Sequence, residues 1–168
     1  LVSALIKKKY NVIGIDNLNN YYDIKLKKLR LKKLQIQAEE INASYNFFKI
    51  DILEKNKLEK IFQKNKIDCV IHLAAQAGVR HSIDNPQEFI KDNIEGFFNI
   101  LEICRKYVPK HLLYASSSSV YGMNNDPPFK IDDNTDVPVS LYGATKKSNE
   151  IMAFSYSHLF SIPSTGMR

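Results

Sequence analysis

The chain has 168 residues, 44% of them hydrophobic and 25% charged, enough for one proper core but short for two domains. Its net charge is +6. The excess is scattered lysine, and no zinc-finger, RRM or KH signature accompanies it, so a solvated basic surface is expected and no nucleic-acid partner. No apolar run reaches the length of a membrane span, and the first residues lack the features of a signal peptide.

In chain order, "ALIKKK" (4–9) reads as a helix end and "NVIGID" (11–16) as a strand. Residues 24–41 form a long helix-prone stretch whose lysines and apolar residues are spread around the helix. "YNFFKID" (45–51) is a second strand, and 54–65 carries Leu58, Ile61 and Phe62 at helical spacing. "DCVIHLAA" (68–75) is a third strand. Pro86 suits a helix's first turn and is followed by Phe89, Asn93, Phe97 and Leu101 at steps of four. "KHLLYASSS" (110–118) is a fourth strand, and 142–160 a long helix. The chain's last residues, "PSTGMR" (163–168), enter another strand.

Continuous apolar runs of this kind suit strands buried on both faces of a parallel sheet, and their alternation with helices implies βαβ units in a doubly wound α/β fold. The irregular segment 122–140, rich in Asn, Asp and Pro, follows a strand end, where open α/β sheets bind ligands. Cys69 and Cys104 have no metal-ligand spacing and are expected to be buried free thiols in a reducing cytoplasm; no metal site is expected.

Several residues at strand ends could carry chemistry. Asp16 ends a strand, where an acid accepts hydrogen bonds from a dinucleotide's ribose hydroxyls; an Asx turn is the alternative. Asp51 occupies the analogous position one strand later. Ala74, Ala75, Ala77 and Gly78 would let a flat cofactor lie against the backbone, or simply allow close strand–helix packing. His72 sits inside an apolar run and reads as a core histidine. Arg80 could pair with a carboxylate or phosphate, or form a surface ion pair. "YASSSSVYG" (114–122) puts four hydroxyls at a strand end, without the G-x-S-x-G elbow of a nucleophile. In "SLYGATKKSNE" (140–150), Tyr142 and Lys146 share a helix face. An ammonium nearby favours the phenolate, which could take a proton from an alcohol while hydride leaves its carbon.

Together, "VIHLAAQAGVR", "DNIEG", "YASSSSVYG" and "SLYGATKKSNE" resemble the extended short-chain dehydrogenase/reductases, the NAD-dependent nucleotide-sugar epimerases and dehydratases. "GIDNLNNYYD" makes the chain most similar to the UDP-glucuronate 4-epimerases among them. The resemblance runs over residues 1–168 and implies a Rossmann-like NAD-binding fold. It implies Tyr142 as general base and acid, Lys146 as its partner and a ligand of the nicotinamide ribose, and Ser117 as the catalytic hydroxyl. Asp16, Asn17, Asp51 and Ile52 would hold the adenosine half of NAD. Leu73, Ala74, Ala75 and Gln76 would line the cofactor, with Asn93 near the active site. Arg80, Ser118 and Ser119, with Ser117 and Tyr142, would face the UDP-sugar substrate. The implied reaction is 4-epimerisation through a 4-keto sugar, UDP-glucuronate to UDP-galacturonate. Alternatives are a neutral UDP-hexose epimerase or a dehydratase, the latter disfavoured by the want of an acidic pair beside the serines. Homodimerisation through helices 86–106 and 142–160 is a further implication.

The family's opening strand and G-x-x-G-x-x-G turn have no counterpart, since the first glycine is Gly14. Residues 1–168 are therefore expected to be an internal fragment: a partial NAD-binding domain lacking the first strand and most of the C-terminal substrate domain. An inactive remnant is the competing expectation for the isolated chain.

Overall fold

A computed structural model describes residues 1–124 and 126–168. Asn125, within the predicted 122–140 loop, lies outside the described residues. The chain divides into two compact units, Leu1–Asp51 and Ile52–Arg168.

In the first unit, α1 (Val2–Lys7) leads into β1 (Val12–Asp16), and α2 (Ile24–Glu40) crosses over to β2 (Tyr45–Lys49). The two strands pair in parallel, from Val12 opposite Tyr45 to Asp16 opposite Lys49. Asp23 caps α2 by accepting the Lys25 amide at 2.7 Å, satisfying one of the donors a helix start leaves free. Leu34, Ala38 and Ile41 then fall on one face and pack with Ile6 and Tyr45 to form this unit's core. Leu26, Leu29 and Ile36 remain exposed among the lysines, so α2 has no clean basic face.

The second unit runs α3 (Lys55–Lys64), β3 (Cys69–His72), α4 (Val79–Asp84), α5 (Pro86–Phe89), a π-helical segment (Ile90–Gly96), α6 (Phe97–Tyr107), β4 (His111–Ala115), a 3₁₀ turn (Ser118–Tyr121), α7 (Leu141–Phe160) and β5 (Ser164–Met167). Its sheet has the order β3-β4-β5, all parallel, with Cys69 opposite His111 and Leu112 opposite Ser164. Phe89, Phe97, Leu101, Leu112 and Val120 are fully buried, each contributing roughly 1.5–3 kcal/mol over exposure. The parallel, Rossmann-like α/β architecture expected from the sequence is the one found.

Four local expectations are corrected. The helix opened by Pro86 is not uniform: α5 passes through a π-helical turn before α6. Gly96 lies in that turn with no room for a Cβ, which would overlap the Ile52 side chain. Between the third strand and Pro86, where the sequence suggests no element, residues Val79–Asp84 form helix α4. Strands β1 to β3 are only partly buried, because β1 pairs with β2 alone and β3 with β4 alone among the described residues. Cys69, at the open start of β3, is exposed rather than buried; Cys104 is buried, which pushes its thiol up to about 12.

The described residues of segment 122–140 are irregular, as predicted, and are tied down. Gly122 adopts φ +63°, and a side chain there would run into the Val137 carbonyl. Tyr121 stacks on Phe129 with ring centroids 4.6 Å apart. Lys147 on α7 donates to Thr135 at 2.5 Å.

Candidate active site

The site is built on α7. Ser140 caps it, its hydroxyl accepting the Gly143 amide at 3.0 Å. Gly143 is needed at this start because a Cβ would lie 2.7 Å from the Ser119 carbonyl oxygen, so the helix packs directly on the serine turn. From there the buried face of α7 carries Thr145, Lys146, Asn149 and Ala153. Tyr142 heads the same stripe, half-buried, its ring edge-on to Phe89 at 6.0 Å.

Lys146 is 3% exposed and donates to the Ala115 carbonyl at 2.9 Å. Burial disfavours its charged form and pushes its pKa down to about 8. The amine thus stays mostly protonated at neutral pH, with a second ionisation state within reach. His72 is buried against Phe97, 5.2 Å between rings. Burial, with a smaller contribution from Lys146, pushes its pKa down to about 3, so it is neutral at working pH. This is the core histidine expected.

A buried polar network joins the helices to the loop after β3. The Asn93 side chain accepts the Gln76 amide at 2.8 Å and donates to the Gln76 carbonyl and the Thr145 hydroxyl, each at 3.0 Å. Thr145 donates to the Tyr142 carbonyl at 2.8 Å, and Asn149 donates to the Asn93 carbonyl at 2.6 Å. The π-helical turn aims Asn93, 1% exposed, into this network, a common use of such turns at functional sites. Both amide protons of Asn93 are therefore used inside the protein. The Gln76 side-chain nitrogen is buried and finds no hydrogen-bond acceptor among the described residues. An orphaned buried donor costs about 1–3 kcal/mol and marks a place where a ligand oxygen fits. Beside it, Leu73 and Ala74 are exposed and Ala75 half-buried, leaving the backbone past β3 open to a flat ligand.

Ser117, half-buried and extended, caps the 3₁₀ turn by accepting the Ser119 amide at 3.1 Å. Ser118 is exposed and Ser119 half-buried; Arg80 is exposed on α4. In the first unit, Asp16 accepts the Leu18 amide at 2.6 Å, which makes the Asx turn, and lies 3.8 Å from the Lys27 ammonium. Asn17 donates to Asp51 at 2.9 Å, two residues beyond the strand that Asp51 was expected to end. Ile52 faces inward, its carbonyl accepting from Asn99 at 3.1 Å. The candidates thus fall in both units: Asp16, Asn17 and Asp51 in the first, the rest in the second.

Sequence reasoning passed over Thr145, Asn149, Ser116 and Glu150. For Thr145 and Asn149 the signal was in "GATKKSN": polar residues poor in helix propensity sit where a long helix buries its stripe.

Residues 1–168 match the family described as GDP-mannose 4,6 dehydratase. The chain belongs to this family. It is 48% identical to Protein CapI of Staphylococcus aureus, covering 100% of this chain and 48% of that protein. UDP-glucuronate 4-epimerase 4 of Arabidopsis thaliana is 44% identical, over 99% of this chain and 37% of that protein. The solved UDP-glucuronic acid 4-epimerase of Bacillus cereus, in complex with UDP-glucuronic acid and NAD, superposes with a TM-score of 0.84 at 32% identity, covering 99% of this chain and 52% of that one. The chain spans about half, or less, of the length of these family relatives. No helix among the described residues is long and apolar enough to cross a membrane, and they hold no cluster suited to a metal ion.

Proposed function

We propose that residues 1–168 form the NAD-binding half of a cytoplasmic UDP-sugar 4-epimerase whose substrate is UDP-glucuronate. The observation that carries the reading is the α7 stripe, where Tyr142 heads the same buried face as Lys146, whose ammonium is bonded to the strand end that launches Ser117. The similarity to UDP-glucuronate 4-epimerases supports the choice of substrate.

The residues fit NAD. Asp16, Asn17 and Asp51 supply carboxylate and amide groups for the adenosine ribose and ring, with Ile52 following them. Leu73, Ala74 and Ala75 offer an open, small-residue surface, and the Gln76 side-chain nitrogen an unused donor. Asn93 acts through the Gln76 loop it holds. NAD, when bound, supplies the acceptor and donor of hydride at sugar C4. Tyr142 takes the proton from the 4-hydroxyl and returns it after the 4-keto sugar has turned its other face. Lys146 keeps a positive charge beside this exchange and hydrogen-bonds the nicotinamide ribose. Ser117 hydrogen-bonds O4 as charge develops there, an effect most useful when strongest in the transition state. Ser118, Ser119 and Arg80 contact the sugar. Homodimerisation through helices 86–106 and 142–160 is supported by exposed Phe98, Ile151, Phe154 and Leu159.

Incubating the full-length protein with UDP-glucuronate and following the sugar by NMR tests the reading. UDP-galacturonate is expected. Turnover of UDP-glucose alone would move the assignment to a neutral hexose, and a dehydrated 4-keto product would make the protein a dehydratase. Calorimetry of the isolated chain with NAD separates a competent half from an inert remnant: micromolar binding is expected. Analytical ultracentrifugation tests the dimer.

A further inference from the structure

Outside the groups assigned above, the most completely connected polar cluster surrounds Glu150. It lies two helical turns beyond Tyr142 and one beyond Lys146 on α7. Its carboxylate accepts the Ser116 hydroxyl at 2.6 Å and a bidentate pair of bonds from Arg168, each at 2.8 Å. Burial pushes the Glu150 carboxyl up, and the hydrogen bonds from Arg168 and Ser116 more than offset this, holding it below the usual carboxylate range. Arg168 in turn packs over the Tyr121 ring, 5.2 Å to its centroid, and donates to the Ile131 carbonyl at 3.2 Å.

These contacts form a pattern along the helix. Lys146 holds Ala115 through its carbonyl, and Glu150 holds Ser116 through its hydroxyl. Consecutive residues of the strand end are therefore pinned to consecutive turns of α7. The Ser116 amide also donates to the Met167 carbonyl at 2.8 Å, so residue 116 is fixed from the β5 side as well. The next residue is Ser117. Its own hydroxyl already caps the 3₁₀ turn, so its position follows from where residues 115 and 116 are held. A single tie would leave the strand end free to pivot about it; two ties fix its register against Tyr142.

We propose that Glu150, through Ser116, is a positioning residue that sets Ser117 against Tyr142 for the proton exchange at the sugar hydroxyl. The inference rests on the function proposed above. A displacement of about 1 Å in such a group can cost up to a hundredfold in rate, so the link is expected to act on kcat rather than on binding.

The test is a double-mutant cycle in the full-length protein. Ser116→Ala is expected to lower kcat about tenfold while KM for the UDP-sugar and Kd for NAD stay within about twofold. In a Ser117→Ala background the same substitution is expected to change kcat by less than about twofold, because the group it positions is gone. Ser116→Thr, which keeps the hydroxyl, is expected to restore most of the rate. Glu150→Asp, which keeps the charge for Arg168 but withdraws it by one methylene, supplies a second cycle with the same expectation if Ser116→Ala does not fold. An equal loss of kcat with and without Ser117, or a loss confined to KM, would overturn the positioning role while leaving the epimerase reading intact. A wild-type protein that turns over no UDP-sugar would overturn both.

Discussion

The polar residues at the end of β1 and those between the loop after β3 and α7 solve different problems. At β1, Asp16 is exposed and its turn is an ordinary local one, with one carboxylate oxygen bonded to the Leu18 amide. Around α7, Asn93, Thr145, Lys146 and Asn149 are each at most 3% exposed and bonded to one another or to buried backbone. The first arrangement leaves acceptors in water, where they can exchange solvent for a ribose at little cost. The second removes solvent beforehand, which strengthens each electrostatic interaction and shifts ionisations. Binding tolerates the first kind of site, whereas proton transfer needs the second.

The sharpest way to break this contrast is Tyr142→Phe in the full-length protein. The ring keeps its contact with Phe89 and loses only its hydroxyl. We expect kcat to fall by about 10³-fold, within the range typical of a general acid–base group, with an unchanged melting temperature. A fall in stability with little loss of rate would make Tyr142 a packing residue and move the chemistry elsewhere.

Next in size is a pH effect. His72 has its pKa pushed down to about 3, chiefly by burial, so between that value and its ordinary one the unfolded chain binds the extra proton. Stability is therefore full above about pH 6.5 and is lost as pH falls toward 3, by on the order of 5 kcal/mol. Lys146 works at the other end: with its pKa down to about 8, the unfolded chain holds more proton up to about pH 10.5, and stability rises over that window. His72→Phe is expected to flatten the acid limb of a urea-denaturation series measured against pH; an unchanged limb would mean that carboxylates alone govern acid unfolding.

Asn93→Ala probes the same interior by its hydrogen bonds. It strands both main-chain groups of Gln76, at a cost of about 3 kcal/mol from unsatisfied buried groups and the cavity left behind. Urea denaturation gives the loss directly, and one below about 1 kcal/mol would mean that water replaces the side chain and the network is not dry.

How far the sequence revealed these two regions follows from the same physics. Strands β1 to β4, α2 and α7 were legible because their apolar runs or caps are local signals. So was the placement of Asp16 at a strand end and of Tyr142 and Lys146 on one helix, since residue type and spacing are local too. The π-helical turn was not: Phe89, Asn93, Phe97 and Leu101 keep a helical spacing that does not disclose the wider turn, which accompanies Gly96 lying against Ile52, distant in sequence. Glu150 was unreadable for a similar reason, since its partners Ser116 and Arg168 lie 34 and 18 residues away. Cys69 was misjudged because an apolar strand was assumed to have neighbours on both sides.

The smallest effect decides between the two readings of Asp16. Asn makes an Asx turn as well as Asp does, so Asp16→Asn keeps the bond to Leu18 while removing the charge and half of the acceptor capacity. The nearby Lys27 loses its ionic partner but keeps its 2.9 Å bond to Asn19, so the turn should hold. We expect an unchanged melting temperature and a Kd for NAD about tenfold weaker by calorimetry, the usual scale for losing a charged hydrogen-bond acceptor. Unaltered NAD affinity would reduce Asp16 to a turn residue and leave the adenosine half to Asn17 and Asp51. The contrast between the wet and the dry arrangement would survive, but the wet one would bind through amide and carboxylate groups already bonded to each other.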